Sequence, residues 1–185
     1  MFFSLLFADA GARTPVPDLE QLMDTFGTEI LRLCTLYLKD YQLAQDAVQE
    51  TFLRVYTKYA GFRGQCSIKT WITAIAMNVC RDIMRRHAYT ERPLWLPEDP
   101  DAQEEYADRK FSAAARDETP DIDTRLTLLQ AVTNLPEIYR KTILLYYYNG
   151  FSTTEIARIL RCPQATVNVR LKRGRDLLRS VLTDL

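Results

Sequence analysis

The stretch from Leu135 to Arg179 constrains this chain more than any other part of it. Leu135-Pro136-Glu137 opens an apolar, tyrosine-rich run that ends at Tyr148, and Asn149-Gly150 follows. Proline suits the first turn of a helix, where its missing N–H would have no partner anyway. Asn-Gly stops a helix through a left-handed cap. Ser152 and Glu155 then stand at capping-box spacing ahead of Ile156 and Ala157, so each side chain can satisfy the other's backbone donor. Pro163 opens one more helix, which carries Arg170, Lys172, Arg173, Arg175 and Arg179 against a single acid, Asp176. A short capped helix, a tight turn and a basic helix make a helix-turn-helix, the shape that enters a DNA major groove. On the basic helix Val167, Leu171 and Leu178 should face inward, with Gly174 at a close contact. Gln164, Ala165, Asn168, Val169, Lys172 and Arg173 should point away, with Arg170 at the edge. That outward set mixes types that read base edges with types that hold phosphates. The bland alternative is a basic helix serving solubility or an acidic protein partner; the cap and the turn argue against it.

Zero net charge at first speaks against nucleic acid, but the zero is a cancellation of unlike segments. Six basic residues between Arg161 and Leu185 face only Asp176 and Asp184, whereas Pro97 to Asp123 holds ten acids and three bases. Hydrophobic content of 47% excludes wholesale disorder. The four cysteines, Cys34, Cys66, Cys80 and Cys162, have no zinc-site spacing, and His87 is the single histidine, so no metal or other cofactor is expected. Cys34 and Cys80 fall on apolar helix faces and read as core residues in a reducing compartment. Met1 to Ala12 is apolar and ends in small residues, as a signal peptide does. It lacks an early Lys or Arg, and Phe2 to Phe7 is too short for the apolar region, so it reads as a tail. No stretch is long enough to span a membrane.

The expected fold class is all-α: two small helical domains joined by an acidic flexible linker, the second domain a helix-turn-helix. The expected boundaries are a tail over 1–17, a first domain over 18–91, the linker over 92–122 and a second domain over 123–185. In the first domain Leu19, Leu22, Met23, Phe26, Ile30, Leu33, Cys34 and Tyr37 follow amphipathic-helix spacing. A second helix from about Leu43 to Tyr59 should bury Ala44, Val48, Phe52, Val55 and Tyr59. Gly61-Phe62-Arg63-Gly64 breaks the chain. A third helix from about Ser67 to His87 has the core stripe Ile68, Ile72, Ile75, Val79 and Ile83. Prolines 93, 97, 100 and 120 dissolve the pattern into a linker, with transient helix around Gln103 to Ala115.

Beside the core stripe of the third helix runs a second one: Trp71, Ala74, Asn78, Arg81 and Arg85. An indole can stack on bases, an amide can read base edges and guanidinium groups can hold phosphates, which suits melted DNA. Burial of Trp71 and a merely solvated arginine face remain the competing reading, since tryptophan is usually largely buried. The second helix has a polar face of Asp46, Gln49, Glu50 and Arg54, which from spacing alone is ordinary surface.

Two stretches together resemble a known family. The first is Asp46-Ala47-Val48-Gln49-Glu50-Thr51-Phe52-Leu53-Arg54-Val55-Tyr56, continuing through Phe62-Arg63-Gly64 and Thr70-Trp71-Ile72 to Asn78 and Arg85-Arg86. The second runs from Leu135-Pro136-Glu137 through Glu155-Ile156-Ala157 to Thr166-Val167 and Arg170-Leu171. The chain resembles bacterial RNA polymerase sigma factors of the extracytoplasmic-function (ECF) group in the sigma-70 family, over about two-thirds of its length. The resemblance implies a transcription initiation factor that binds core RNA polymerase, directs it to specific promoters and helps melt the −10 element. It assigns Asp46, Gln49, Glu50 and Arg54 to the clamp coiled coil of the polymerase β′ subunit. It assigns Phe62, Arg63, Trp71, Asn78, Arg81 and Arg85 to −10 DNA, and Gln164, Thr166, Asn168, Arg170, Lys172 and Arg173 to −35 DNA. Base flipping at the −10 element costs a few kcal/mol of unstacking, so a fitted pocket must offset it. The acidic linker resembles the segment that threads the polymerase toward its RNA exit path.

The resemblance further implies no catalytic residues, no small-molecule substrate, and a cytoplasmic location with membrane tethering through an anti-sigma factor as an option. No long C-terminal extension is visible that could sense a signal, which points to a separate anti-sigma protein. Asn168 and Val169 depart from the basic or small polar residues many relatives carry, which leaves the −35 sequence open. The alternatives are a stand-alone helix-turn-helix regulator and a sigma mimic that titrates an anti-sigma protein. A nucleic-acid enzyme is disfavoured because a nuclease normally needs clustered metal-binding carboxylates.

Overall fold

The computed structural model describes residues 19–91 and 124–183. The expected tail, the linker and the transient helix over 103–115 lie outside the described residues. Those described are helical, with no strand among them.

Helix α1 spans Leu19–Leu38 and α2 Tyr41–Lys58. Between them Lys39 takes a left-handed conformation (φ 60), which turns the chain. Asp40 then caps α2 by accepting from the Leu43 N–H at 2.9 Å. A single 3-10 turn, Tyr59–Gly61, closes α2, and α3 spans Ile68–Glu91. Ser67 caps α3 through the Thr70 N–H at 3.0 Å. The three helices pack mutually, with Leu33, Cys34, Ala44, Val55, Ile72, Ala76 and Val79 at the centre. Cys34 and Cys80 lie in that core with their sulfurs 3.4 Å apart. The Cys34 contact and burial push the Cys80 thiol far above its usual range.

Several positions depart from the periodic expectation. Met23 is exposed, and Leu19, Phe26, Val48 and Ile68 are only half-buried. The core instead takes Ala47 and Thr51, both fully covered, because small residues let α2 approach its neighbours closely. Thr51 satisfies its hydroxyl on the Ala47 carbonyl at 2.6 Å. Tyr59, expected in the core, sits half-buried in the 3-10 turn, since the chain has already left α2 there.

Beyond the undescribed segment, α4 spans Thr124–Asn134 and α5 Glu137–Ile143. A wider turn over Leu144–Tyr148 continues α5, with the Asn149 N–H reaching back to the Leu144 carbonyl at 3.1 Å. Pro136 stands one place outside α5, as its N-cap, rather than inside the first turn. Gly150 supplies the expected left-handed residue (φ 72). Helix α6 spans Thr153–Leu160 and α7 Gln164–Thr183. Arg140 is buried, with one terminal nitrogen donating to the carbonyls of Thr133 (2.8 Å) and Leu135 (3.2 Å), so it ties the end of α4 to α5.

The two groups of helices are not separate. Helix α6 lies against α3, and α5 against α1, so that one apolar cluster runs from Leu22 to Leu171.

Candidate nucleic-acid interface

The capping box forms as its spacing requires. The Glu155 N–H donates to Ser152 Oγ at 3.3 Å, and the Ser152 N–H donates to Glu155 Oε2 at 3.0 Å. These bonds from Ser152 hold the Glu155 carboxyl below its usual pKa. Helix α6 ends at Arg161 in a left-handed conformation (φ 53), with the Cys162 N–H bonded to the Ala157 carbonyl at 3.0 Å. Nothing in the sequence marked Arg161 for that role, because helix ends of this kind usually recruit glycine or asparagine. Pro163 then leads into α7, and Gln164 Nε2 donates to Thr153 Oγ1 at 2.8 Å, bracing the head of α7 against the head of α6.

Helix α7 divides its faces as expected. Val167, Leu171 and Gly174 are buried, while Gln164, Ala165, Asn168, Val169, Lys172 and Arg173 are exposed, with Thr166 and Arg170 at the margin. Leu178, expected to face inward, is only half-buried, packed against the edge of the core. Gly174 makes the close contact: a Cβ built there would stand 3.0 Å from Ile143 Cγ1 and 3.4 Å from Tyr139 Cβ. The missing side chain lets α7 lie directly on α5.

A second surface lies on α3 and the loop before it. Trp71 is half-buried and Arg81 and Arg85 are exposed. Phe62 packs across Trp71 with ring centroids 4.8 Å apart, and Tyr59 meets Trp71 edge-on at 6.1 Å and Phe62 at 6.2 Å. The free indole therefore does not present both faces: Phe62 covers one, and a base stacking there must displace it. Asn78 donates to the Ala74 carbonyl at 2.8 Å and accepts from Arg81 at 3.0 Å, so its amide is already oriented by its own helix. Tyr59 was missed as a member of this group. Its place in the 3-10 turn, invisible to a helical periodicity, brings it there.

The polar face of α2 is divided. Asp46 and Gln49 are exposed, but Arg54 pairs with Glu50 at 2.7 Å and with Asp82 of α3 at 3.2 Å. Arg54 thus also fastens α2 to α3, and its pKa is raised by the Glu50 bond. No group of three His, Cys, Asp or Glu able to hold a metal ion occurs among the described residues. None of the described helices is long and apolar enough to cross a membrane.

Comparison with known proteins matches two family models, described as Sigma-70 region 2 over residues 22–90 and Sigma-70, region 4 over residues 125–178. The chain is similar to the ECF RNA polymerase sigma factor SigW of Bacillus subtilis, at 30% identity, with 89% of this chain and 88% of the relative covered. It is similar also to the RNA polymerase sigma-H factor of Pseudomonas aeruginosa, at 31% identity over 85% of this chain and 82% of the relative. Among solved structures, the sigma factor RpoE bound to the anti-sigma factor NepR from Bartonella quintana shares the fold. Its TM-score is 0.66 at 19% identity, covering 91% of this chain and 98% of that one. CnrH bound to the cytosolic domain of CnrY follows, with a TM-score of 0.57 at 20% identity over 90% and 88% of the two chains.

Proposed function

From its place among the ECF RNA polymerase sigma factors of the sigma-70 family, to which this chain belongs, we propose how its residues divide the work of a promoter-specific transcription initiation factor. Helix α7 reads the −35 element through Gln164, Thr166, Asn168, Arg170, Lys172 and Arg173. The observation that carries this is the division of α7 into one buried apolar side and one exposed side of amide and basic groups, on a braced helix-turn-helix. Amides suit base edges and the basic residues suit phosphates, so binding should fall steeply with salt.

The Phe62–Ser67 loop and the Trp71–Asn78–Arg81–Arg85 stripe hold the opened −10 strand. Phe62, Arg63 and Trp71 receive the unstacked base, while Arg81 and Arg85 take phosphates. The two domains bind together with gain in effective concentration, because one contact places the other nearby. Asp46 and Gln49, with the Glu50–Arg54 pair, dock on the clamp coiled coil of the β′ subunit of core polymerase. An anti-sigma factor is the regulatory partner, a reading supported by the sigma–anti-sigma complexes that share the fold. The action proposed is binding and strand opening without covalent chemistry, in the cytoplasm, over the expected domain boundaries 18–91 and 123–185.

The deciding experiment is in vitro transcription with bacterial core polymerase on a genomic promoter library, with and without this protein. New transcripts sharing a two-part upstream motif are expected. Sequence-specific DNA binding without polymerase, and no new transcripts with it, would refute the assignment.

A further inference from the structure

Asp82 lies on α3 beside the stripe assigned to the −10 element, four residues after Asn78 and three before Arg85. Its own helix offers it Arg85 and Arg86, at the three- and four-residue spacings where opposite charges meet. The carboxylate crosses to α2 instead, where Asp82 Oδ2 accepts from Arg54 Nη1 at 3.2 Å. Arg86 Nε donates to the main-chain carbonyl of Asp82 at 3.4 Å, and Arg81 turns to Asn78 Oδ1 at 3.0 Å. Arg54 Nε meanwhile donates to Glu50 Oε1 at 2.7 Å. One planar guanidinium therefore spans two carboxylates, one on each helix, through different nitrogens.

The side chains of Arg54, Glu50 and Asp82 are 29%, 39% and 35% exposed, so solvent screens these bonds only in part. An ion pair of four-residue spacing on an open helix face stands formed only part of the time, because the bond gains little more than the rotamer freedom it removes. Holding Nη1 as well removes the torsions that would swing Nε away from Glu50. The rigid fork of the guanidinium makes the two bonds support each other. Glu50, on the α2 face read as the docking surface, is thus ordered by a residue of the neighbouring helix. The same strut fixes that face relative to the Asn78–Arg85 part of α3.

We propose that Asp82 is a positioning residue for polymerase docking: from α3 it fixes the Arg54 guanidinium, and through it the Glu50 carboxylate, in the arrangement that core polymerase meets. The inference rests on the preceding reading that this face of α2 docks on core polymerase; the bracing itself is a property of the free chain. Association immobilises interface side chains, and a side chain already ordered spares a loss of affinity of about 2- to 10-fold. Asp82 acts in this way without touching the polymerase.

The test is Asp82→Ala, which removes the second bond and places the strongest helix former on α3, so the fold should be kept. In the free full chain, NMR relaxation of the Arg54 Nε–H should show its order parameter falling from about 0.8 in the wild type to below about 0.6 in D82A. Affinity for bacterial core polymerase, measured by fluorescence anisotropy well below the unfolding transition of every variant, should fall about 2- to 10-fold in D82A. In an Arg54→Met background D82A should cause no further loss, because the residue it acts through is gone. A purely structural role would lower the melting temperature and leave core affinity unchanged, and a general charge effect would survive in the R54M background. An Arg54 order parameter unmoved by D82A, a core affinity unmoved by D82A, or the same loss with Met at residue 54 would each overturn the positioning role. A wild type that does not bind core polymerase would overturn the docking reading and this inference with it. The relaxation measurement involves no polymerase, so failure of the bracing and failure of the docking reading are told apart.

Discussion

Gly174→Ala tests how tightly α7 is seated on α5. In the interior of α7, alanine is favoured over glycine by about 1 kcal/mol of helix propensity. Against that stands a Cβ placed 3.0 Å from Ile143 Cγ1 and 3.3 Å from its Cδ1. Carbon atoms prefer about 3.5–4.0 Å, so Ile143 or the whole of α7 must yield by at least a few tenths of an ångström. Ile143 is 4% exposed and has little room to turn. Overpacking of this kind costs about 1–3 kcal/mol, which outweighs the propensity gain. The net expectation is a loss of about 1 kcal/mol, or about 2–4 °C in Tm for a chain of this size. Urea unfolding of the wild type, G174A, I143A and the double variant measures it. Ile143→Ala alone should cost about 2–5 kcal/mol. In the G174A background it should cost at least 1 kcal/mol less, because the new methyl fills part of the space vacated. Stabilisation of G174A by the full propensity gain, with no coupling to residue 143, would refute the close seating of α7 on α5.

Ser152→Ala removes the oxygen that accepts from the Glu155 N–H and should lower stability by about 1 kcal/mol, read as a shift in thermal unfolding. Trp71→Ala should impair promoter opening, followed by permanganate reactivity of −10 thymines, while leaving affinity for core polymerase unchanged; a matching loss of core affinity would contradict the assignment. Arg170→Ala should weaken −35 binding by about 1–3 kcal/mol on the preferred sequence if its contact is to a base, and equally on all sequences if it is to phosphate. Acid should loosen the contact between the domains. Burial raises the Glu29 pKa, but Lys69 and Asn149 pull it below its usual value. Burial likewise raises Glu137, which Lys141, Tyr37 and Arg140 outweigh. Glu155 is lowered by its Ser152 bonds. Carboxylates with depressed pKa contribute stability that is present above about pH 4.5 and lost as pH falls through their folded values. The radius of gyration from small-angle X-ray scattering should therefore grow on acidification below about pH 4.5, and a radius constant down to about pH 3 would refute this.

What could be read from the chain alone was what local spacing controls. The division of α7 into inward and outward faces, the capping box at Ser152, the Gly150 stop and the Trp71–Arg85 stripe all follow from helical periodicity and end chemistry. These depend on neighbours only a few residues away. The close approach at Gly174 was also legible, because a glycine inside a basic helix has few other uses. Periodicity failed where an element ended or where two faces competed. It put Tyr59 in the core, whereas the 3-10 turn carries it to Phe62 and Trp71. It favoured Val48 over Ala47 and Thr51, although close packing of α2 selects small side chains. The left-handed Arg161 carried no mark either. Nothing local joins Glu29 to Asn149, Thr70 to Glu155 or Tyr37 to Glu137, pairs separated by 85 to 120 residues. The chain by itself determined which faces of α3 and α7 stay exposed, because a helix's faces are set within a few turns. Only the tertiary structure decided that those surfaces are held together in one closed molecule, because such contacts arise when desolvated polar groups and apolar faces find partners far away in the chain.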